Sequence, residues 1–583
     1  MSFLELENKW EYKHIQDLTK GIRADIPSIT LDPGEALTAH NVKFYKRTVR
    51  SDTGYAPFLS TVRGNPRVSY QFYMKDGSSE LMLITDATLY KLESAEWRYV
   101  SDGTATTTSN DEVAGQTVIE VPSTAGFTAS DYVGIDLSDG TQHRTTIASV
   151  SAGVSITIDD AIPTGKNTGV GAAVVKAVDL TGSADIQVSV CTLPSHDWFV
   201  FTNGVDNPQY YDGASCQTLP NLPSSGNTQC RLVTVFENHL ILAHTTEGGS
   251  KYPQRVRRSD TGDPTNWTTG NAGFTDLFDN EDWLIAVSAL GPYMIFYRER
   301  SVVRTEYVGT VDLLFDFETV IAGEGALSQD SVIDLGDYHL FVGNSNIYEY
   351  RGGFDFNPIG DKIYDLTFGV NGELNASYKQ RVFGFYVEEL DEVWIFYPTT
   401  TDEYPTKLMR LALANNAFYT RDFGLNLTGF GFYQSQDDKT WNELVGDWTQ
   451  QDWSWDSKSV SANSPITHLL SDDGQVYEYD YFTTNDNGNT IDYVFETEDF
   501  GHPRFMIRTD TFDFRIQGSS ILVEISFDEG DNWQTLTTIT KTTLGLVSTS
   551  LQKASRRFRL RLSGSSGLIW ESLGFIYRME SEY

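Results

Sequence analysis

The chain reads as all-β: a β-propeller-like hub with an inserted small β-domain and a C-terminal β-sandwich-like domain. Three observations lead there. Aromatic residues make up 13% of the chain, Gly numbers 48 and Met only 7, a bias towards strands and tight turns. Long helical periodicity is nearly absent. One pattern recurs instead: an alternating apolar strand, a polar turn, then a strand with Tyr or a similar residue.

In chain order the pattern begins at Ile84-Thr-Asp-Ala-Thr-Leu-Tyr90. It returns at Phe199-Val-Phe-Thr-Asn-Gly204 with Gln209-Tyr-Tyr-Asp-Gly213, and most plainly at Leu340-Phe-Val-Gly-Asn-Ser-Asn-Ile-Tyr-Glu-Tyr350. Leu469-Leu-Ser-Asp-Asp-Gly-Gln-Val-Tyr-Glu-Tyr479 repeats its logic. Further strand pairs fall at 231–258, 294–308, 382–397 and 407–422. Most units lie about 40–55 residues apart, the range of propeller blades. The first gap is longer and holds a Thr/Ser/Ala/Gly/Val-rich stretch, 104–178. Its Tyr132-Val-Gly-Ile-Asp136 and Arg144-Thr-Thr-Ile-Ala-Ser-Val150 flank Asp139-Gly140 as a hairpin would. From about Glu496 the strands change style, with Thr511-Phe-Asp-Phe-Arg515 and later runs reading as a sandwich. The expected divisions are 1–103 (N-terminal arm and first blade), 104–178 (insertion), 179–495 (remainder of the hub) and 496–583 (C-terminal domain).

The 583 residues suffice for several cores without a disulfide or metal staple. A formal net charge of −37 excludes a protein that grips nucleic acid through phosphate contacts. Plentiful aromatics and 40% hydrophobic residues argue against an acidic disordered chain. No apolar run reaches the ~18 residues of a membrane helix. Glu5, Glu7 and Glu11 stand where a signal peptide would be cationic and then apolar. Cys191, Cys216 and Cys230 share no metal-type spacing, so synthesis in a reducing cytoplasm is expected. Acidic residues concentrate in 421–500, with 16 against 3 basic. That stretch is either a solvated surface or an acidic wall that repels a polyanion.

Candidate chemistry is sparse. The chain has no Gly-x-Ser-x-Gly, His-Glu-x-x-His or phosphate loop, so no catalytic, cofactor-binding or metal-ligating residue is assigned. His239 and His244, five apart in a strand, face opposite ways. Ala322-Gly-Glu-Gly-Ala-Leu327 reads as a turn. Ser526, Asp528, Gly530 and Trp533 fit Ser-x-Asp-x-Gly-x-x-Trp and resemble the Asp box of sialidase-like propellers. A single copy outside the hub reads as a stable turn. Asp and Glu are too abundant to single out a glycosidase pair. Trp441, Trp448, Trp453 and Trp455 either stack on sugars or anchor a loop or subunit contact. Arg557, Arg559 and Arg561 share one strand face, as a plain polar exterior or as a subunit contact onto an acidic neighbour.

A resemblance runs over most of residues 21–425. Gly21-Ile-Arg-Ala-Asp-Ile-Pro27, Leu31-Asp-Pro-Gly-Glu35, Asn41-Val-Lys-Phe44 and Thr53-Gly-Tyr-Ala-Pro-Phe58 follow one another. Further on come Ser259-Asp-Thr-Gly-Asp-Pro-Thr-Asn-Trp267, Tyr297-Arg-Glu-Arg-Ser-Val-Val303, Pro358-Ile-Gly-Asp361 and Glu392-Val-Trp-Ile-Phe-Tyr-Pro398. Together they resemble the tail nozzle (tail tubular) proteins of short-tailed bacteriophages, over most of 21–425. The resemblance implies a hexameric propeller tube below the portal and its adaptor, with tail fibres near the joint. Genomic DNA would pass through the lumen without specific binding. It implies a virion structural protein, assembled in the host cytoplasm, with no cofactor and no enzymatic activity. The alternative from the residues is a carbohydrate-binding or carbohydrate-degrading propeller tail protein.

Overall fold

The computed structural model describes residues 9–182, 187–279, 281–310, 313–434, 465–480, 483–502, 505–565 and 567–580. Among them helix is confined to single turns such as Tyr364–Thr367. The fold is all-β, built of propeller-like antiparallel meanders with a small inserted β-sheet and a C-terminal array of longer strands. The chain divides into two compact units. One, central in the sequence, comprises Pro57–Gln329 and Asn426–Glu478; the other, holding both termini, comprises Met1–Ala56, Asp330–Leu425 and Tyr479–Tyr583.

In the central unit, Pro66–Tyr73, Ser79–Thr85, Leu89–Glu93 and Glu96–Tyr99 form the first meander. Three more four-stranded sheets follow in simple sequence order: Ser189–Leu193 to Cys216–Thr218, Thr228–Phe236 to Gly273–Asp276, and Leu284–Leu290 to Phe315–Ala322. Alternation gives each sheet an apolar face, and successive faces meet. Phe72 and Ile84 share a core with Phe199 and Phe201. Val200 packs with Val233 and Leu242, and Leu232 and Ile241 with Met294 and Phe296. Leu427–Tyr433 joins the first meander in parallel, Phe430 opposite Val68. Gly429 and Gly431 permit that approach, since a Cβ there would lie 1.9 Å from Arg67 O and 2.1 Å from Ser69 O.

The inserted sheet orders its six strands as Ser101–Thr107, Ala173–Ala177, Tyr132–Asp136, Gln142–Ser151, Ser155–Ile158 and Val118–Glu120. Its core of Ile119, Val133, Ile135, Ile147, Ile156 and Val174 is its own.

In the terminal unit, Phe383–Val387, Glu392–Tyr397, Lys407–Ala412 and Ala417–Asp422 form a meander. Its last strand meets Ala36–His40, which pairs with Tyr493–Thr497, and the sheet runs on through Arg557–Gly564, Met506–Ser526 and Ile569–Glu580. The N-terminal arm, expected with the first blade in 1–103, pairs instead with the C-terminal strands. Glu11–Ile15 lies antiparallel to Ile569–Glu580, as does Thr48–Ser51. The reason is physical: short alternating strands need a sheet edge and an apolar face to cover. Ile15, Val42 and Val49 find both beside Phe512, Phe514, Trp570 and Phe575.

A buried charge network crosses this unit. Arg410 and Arg421 are fully buried, as is Asp52. Arg410 Nη1 donates to Asp52 Oδ1 at 3.0 Å, and Arg421 Nε lies 2.9 Å from Asp52 Oδ2. Arg421 Nη2 also donates to both oxygens of Asp486, at 2.7 and 2.8 Å. Glu392 accepts from Tyr419 Oη and from Trp394 Nε1. The Arg410 guanidinium lies 4.4 Å from the Trp394 ring centre. Burial alone would raise the Asp52 carboxyl, but Arg410 and Arg421 outweigh it and hold it below the usual carboxylate range. Burial prevails at Asp486, pushed up to about 6 against the pull of Arg421.

Two outcomes are expected. Arg410→Met leaves Asp52 buried without one of its two cations and should destabilise the terminal unit by about 3–5 kcal/mol, read by hydrogen exchange of the 392–422 amides. Glu498 is buried with Oε1 unpartnered, and burial pushes its carboxyl up to about 8 from 4.5. The native state therefore holds a proton that the unfolded chain has lost, and stability falls as pH rises through that window. Glu498→Gln should flatten this slope in denaturation midpoints measured from pH 5 to 8. An unchanged slope would refute it.

Candidate functional site

Within the central unit, the inserted sheet and the second meander border a polar cleft of about 460 Å³, within the usual range for small-molecule sites. Arg63, Asp131, Tyr132, Lys176, Gln209 and Gln217 contribute to its lining. The Arg63 guanidinium lies 3.2 Å from the Tyr132 ring centre and donates from Nη2 to Asp179 Oδ1 at 3.0 Å. Arg63 Nη1 is buried without a hydrogen-bond partner. Lys176 Nζ stands 3.1 Å from Asp131 and 3.8 Å from Asp102. Gln217 Oε1 accepts from Tyr210 Oη at 3.3 Å. Both cations are thus paired with carboxylates, Arg63 through Nη2 and Lys176 through Nζ. The cleft's amides, carboxylates and hydroxyls suit a neutral, hydroxyl-bearing ligand.

The four turn residues lie together in the terminal unit. Ser526 Oγ donates to Asp528 Oδ1 at 2.7 Å and accepts from Gly530 N at 3.0 Å. Asp528 Oδ1 accepts from Asn532 N at 2.9 Å. Gly530 takes a φ of 98°, where a side chain would be strained. The hydrogen bonds from Asn532 and Ser526 pull the Asp528 carboxyl down to about 2. The Ser526 hydroxyl and both oxygens of the Asp528 carboxylate are thus spent on their own turn.

The three arginines occupy one face of Arg557–Gly564, and each holds a carboxylate of its own chain. Arg557 Nη1 lies 2.7 Å from Glu529. Arg559 donates to both oxygens of Asp499 at 2.9 and 3.0 Å. Arg561 lies 2.8 Å from Glu524 and 4.2 Å from the Trp533 ring centre. The arginine face and the turn therefore belong to one intramolecular constellation.

His239 Nδ1 pairs with Ser259 O at 2.7 Å and His244 Nδ1 with Leu284 O at 2.9 Å, so the two histidines serve different neighbours. In the 322–327 loop, a Cβ on Gly325 would meet Arg298 O at 1.9 Å, which makes the loop a tight backbone contact. Among the described residues no group of three or more His, Cys, Asp or Glu could hold a metal ion. No helix there is long and apolar enough to cross a membrane. Trp441, Trp448, Trp453 and Trp455 lie outside the described residues. Sequence reasoning missed the cleft and the Asp52–Arg410–Arg421–Asp486 network. The signal for the second was present as single charges inside otherwise apolar strands, as in Leu408-Met-Arg410-Leu-Ala412.

No protein-family model and no curated protein matches the chain. Solved structures do match, over long stretches and at low similarity. An exo-β-1,3-galactanase from Phanerochaete chrysosporium shares 8% identity, covering 80% of this chain and all of the other, with a TM-score of 0.21. The Bacteroides ovatus xyloglucan PUL GH43B shares 10%, covering 68% and 98%, with a TM-score of 0.21. AztD from Citrobacter koseri shares 11%, covering 57% and 86%, with a TM-score of 0.27. At these scores the likeness transfers no residue role and no activity. It does correct one expectation: with glycoside hydrolases among the matched structures, a missing catalytic motif is no ground for setting enzymatic activity aside.

Proposed function

We propose that this chain is a subunit of a bacteriophage tail nozzle, an oligomeric conduit for DNA retention and ejection in the virion tail. On this reading it assembles as a homo-oligomer, a hexamer by the resemblance, and meets the tail adaptor and tail fibre proteins. The observation that carries the proposal is the set of nozzle-like segments spread over 21–425, together with the part they play in this fold. Asn41, from the Asn-Val-x-Phe segment, sits at a φ of 54°. Its Oδ1 accepts from Arg421 Nη1 at 3.2 Å and from Asp422 N at 2.9 Å, and its Nδ2 donates to Asp492 O at 2.7 Å. Thr53, from the Gly-Tyr segment, shares a 2.6 Å hydrogen bond with Tyr479 Oη beside Asp52. These segments are architectural, as a structural family signature would be. The net charge of −37 supports a wall that lets a duplex slide by instead of holding it.

A second reading, a carbohydrate-directed tail protein, is favoured by the polar cleft beside the inserted sheet. Catalysis and a place in the tail are compatible, so the two readings are separated by location and by chemistry. Immunogold labelling of purified particles should mark the tail axis; labelling of fibres alone, or of no virion part, would overturn the nozzle proposal. Release of reducing sugar from host-surface polysaccharide by the purified chain would support the second reading. Duplex DNA titrated with the chain at low salt should show no mobility shift, since the charge balance offers no net phosphate neutralisation.

A further inference from the structure

Asparagine followed by glycine is the pair in which a backbone nitrogen most easily attacks a side chain, because glycine puts no side chain of its own in the way. The chain has three such pairs: Asn203-Gly204, Asn371-Gly372 and Asn487-Gly488. Two are restrained. Asn203 is buried; its Oδ1 accepts from Val205 N at 3.1 Å and Asp206 N at 2.8 Å, and its Nδ2 donates to Thr181 O at 3.1 Å and Asp206 Oδ2 at 2.7 Å. Gly204 N is occupied too, donating to Thr202 Oγ1 at 3.2 Å. Gly372 N donates to Gly369 O at 2.8 Å, and a Cβ on Gly372 would lie 2.3 Å from Thr367 O. That glycine is held against the turn before it.

The third pair is open. Asn487 and Gly488 are both exposed. They form the two-residue turn between Asn485–Asp486 and Asn489–Thr490, with φ of 48° and 87°, positive at both positions as in a type I′ turn. Among the described residues, neither the Asn487 carboxamide nor Gly488 N makes a hydrogen bond. Nothing lies within 4 Å of where a Cβ on Gly488 would stand. A hairpin with two residues per strand opens at low cost. The residues at its base are fixed, by contrast. Asp486 is buried and accepts from Arg421 Nη2 at 2.7 and 2.8 Å, and Asn487 N donates to Tyr55 O at 2.9 Å.

We propose that Asn487 is a site of spontaneous deamidation, a slow chemical modification placed directly beside the buried charge network. Gly488 N attacks Asn487 Cγ and gives up its proton. The N–Cγ bond forms, the Cγ–Nδ2 bond breaks, and ammonia leaves with that proton. Water then opens the five-membered imide. Opening at Cγ leaves Asp at 487. Opening at the backbone carbonyl leaves isoaspartate, with one extra carbon in the main chain. Both products set a new carboxylate next to Asp486, and a second anion disfavours the charged form of the first. Isoaspartate also lengthens a turn built for two residues. Each change weakens the hold of Asp486 on Arg421, so the chain loosens with age where this hairpin meets the Thr53-Gly-Tyr55 segment.

The test ages the purified full chain at mildly alkaline pH and maps its peptides, separating Asn, Asp and isoaspartate at all three pairs. The same chain in guanidinium is the reference. In the native chain Asn487 should convert at least about fivefold faster than Asn203 or Asn371, and in guanidinium all three should convert within about twofold of one another, because folding alone distinguishes them. Equal native rates, or a faster Asn203 or Asn371, overturn the proposal. The aged chain should exchange its 485–490 and 420–422 amides about tenfold faster than the fresh chain. Unchanged exchange in a fully converted chain overturns the link to the charge network. Asn487→Gly keeps a turn that accepts positive φ and has no carboxamide, so its exchange should not change with age. A loss of protection in that variant equal to the wild type's also overturns the link. If the variant does not fold, the peptide map and the exchange of the wild-type chain decide.

Discussion

Two arginines with no exposure to water set the terms for the terminal unit. A buried guanidinium is tolerable only when carboxylates and aromatic faces replace its lost hydration. Arg410 and Arg421 obtain these from three separate stretches of chain. Asp52 comes from the N-terminal arm, Glu392 and Trp394 from the neighbouring strand of the meander, Tyr479 and Asp486 from the segment that leads to the C-terminal strands. None of these stretches can move without stranding a charge. The network therefore does more to specify which strands meet than to lower the energy, since apolar packing of equal volume is as stabilising in general. Asn41 and Thr53 extend it into segments that also carry the family resemblance.

This explains what was legible in the amino-acid sequence and what was hidden. Alternation shows through wherever one face of a hairpin is buried, so Leu340 to Tyr350 and Leu469 to Tyr479 announce their hairpins plainly. The separate core of the inserted sheet follows from its composition. The partner of the N-terminal arm does not. Nothing local in Glu11–Ile15 says that its edge is supplied by Ile569–Glu580, because pairing between distant strands is decided by complementarity that periodicity does not encode. The arginine face of Arg557–Gly564 was legible as a face, but its carboxylate partners on Glu496, Asp499, Glu524 and Glu529 became visible only once the strands were side by side. The polar cleft, assembled from residues 63 to 218, was hidden for the same reason.

Charge is used in three ways in this chain. Inside the terminal unit it locks strands together. On the arginine face it is cancelled pair by pair. Along Gln534–Ser555, the longest strand among the described residues, the acids that pervade the rest are missing. A uniform acidic coat would keep copies apart, so a nearly uncharged edge is the part of the surface where such a coat is interrupted.

The pairing of the N-terminal arm with Ile569–Glu580 has a consequence for synthesis. The arm leaves the ribosome well before its permanent neighbour, which is made more than five hundred residues later. At about 5–20 residues per second the arm waits roughly half a minute to two minutes, with the apolar side of its strands uncovered. The central unit loses less time: its meanders pair within a few tens of residues and can close in order as they emerge. The terminal unit is completed only when Ile569–Glu580 has been made. A nascent chain halted before Ile569–Glu580 would carry folded central meanders and an N-terminal arm still without its sheet edge.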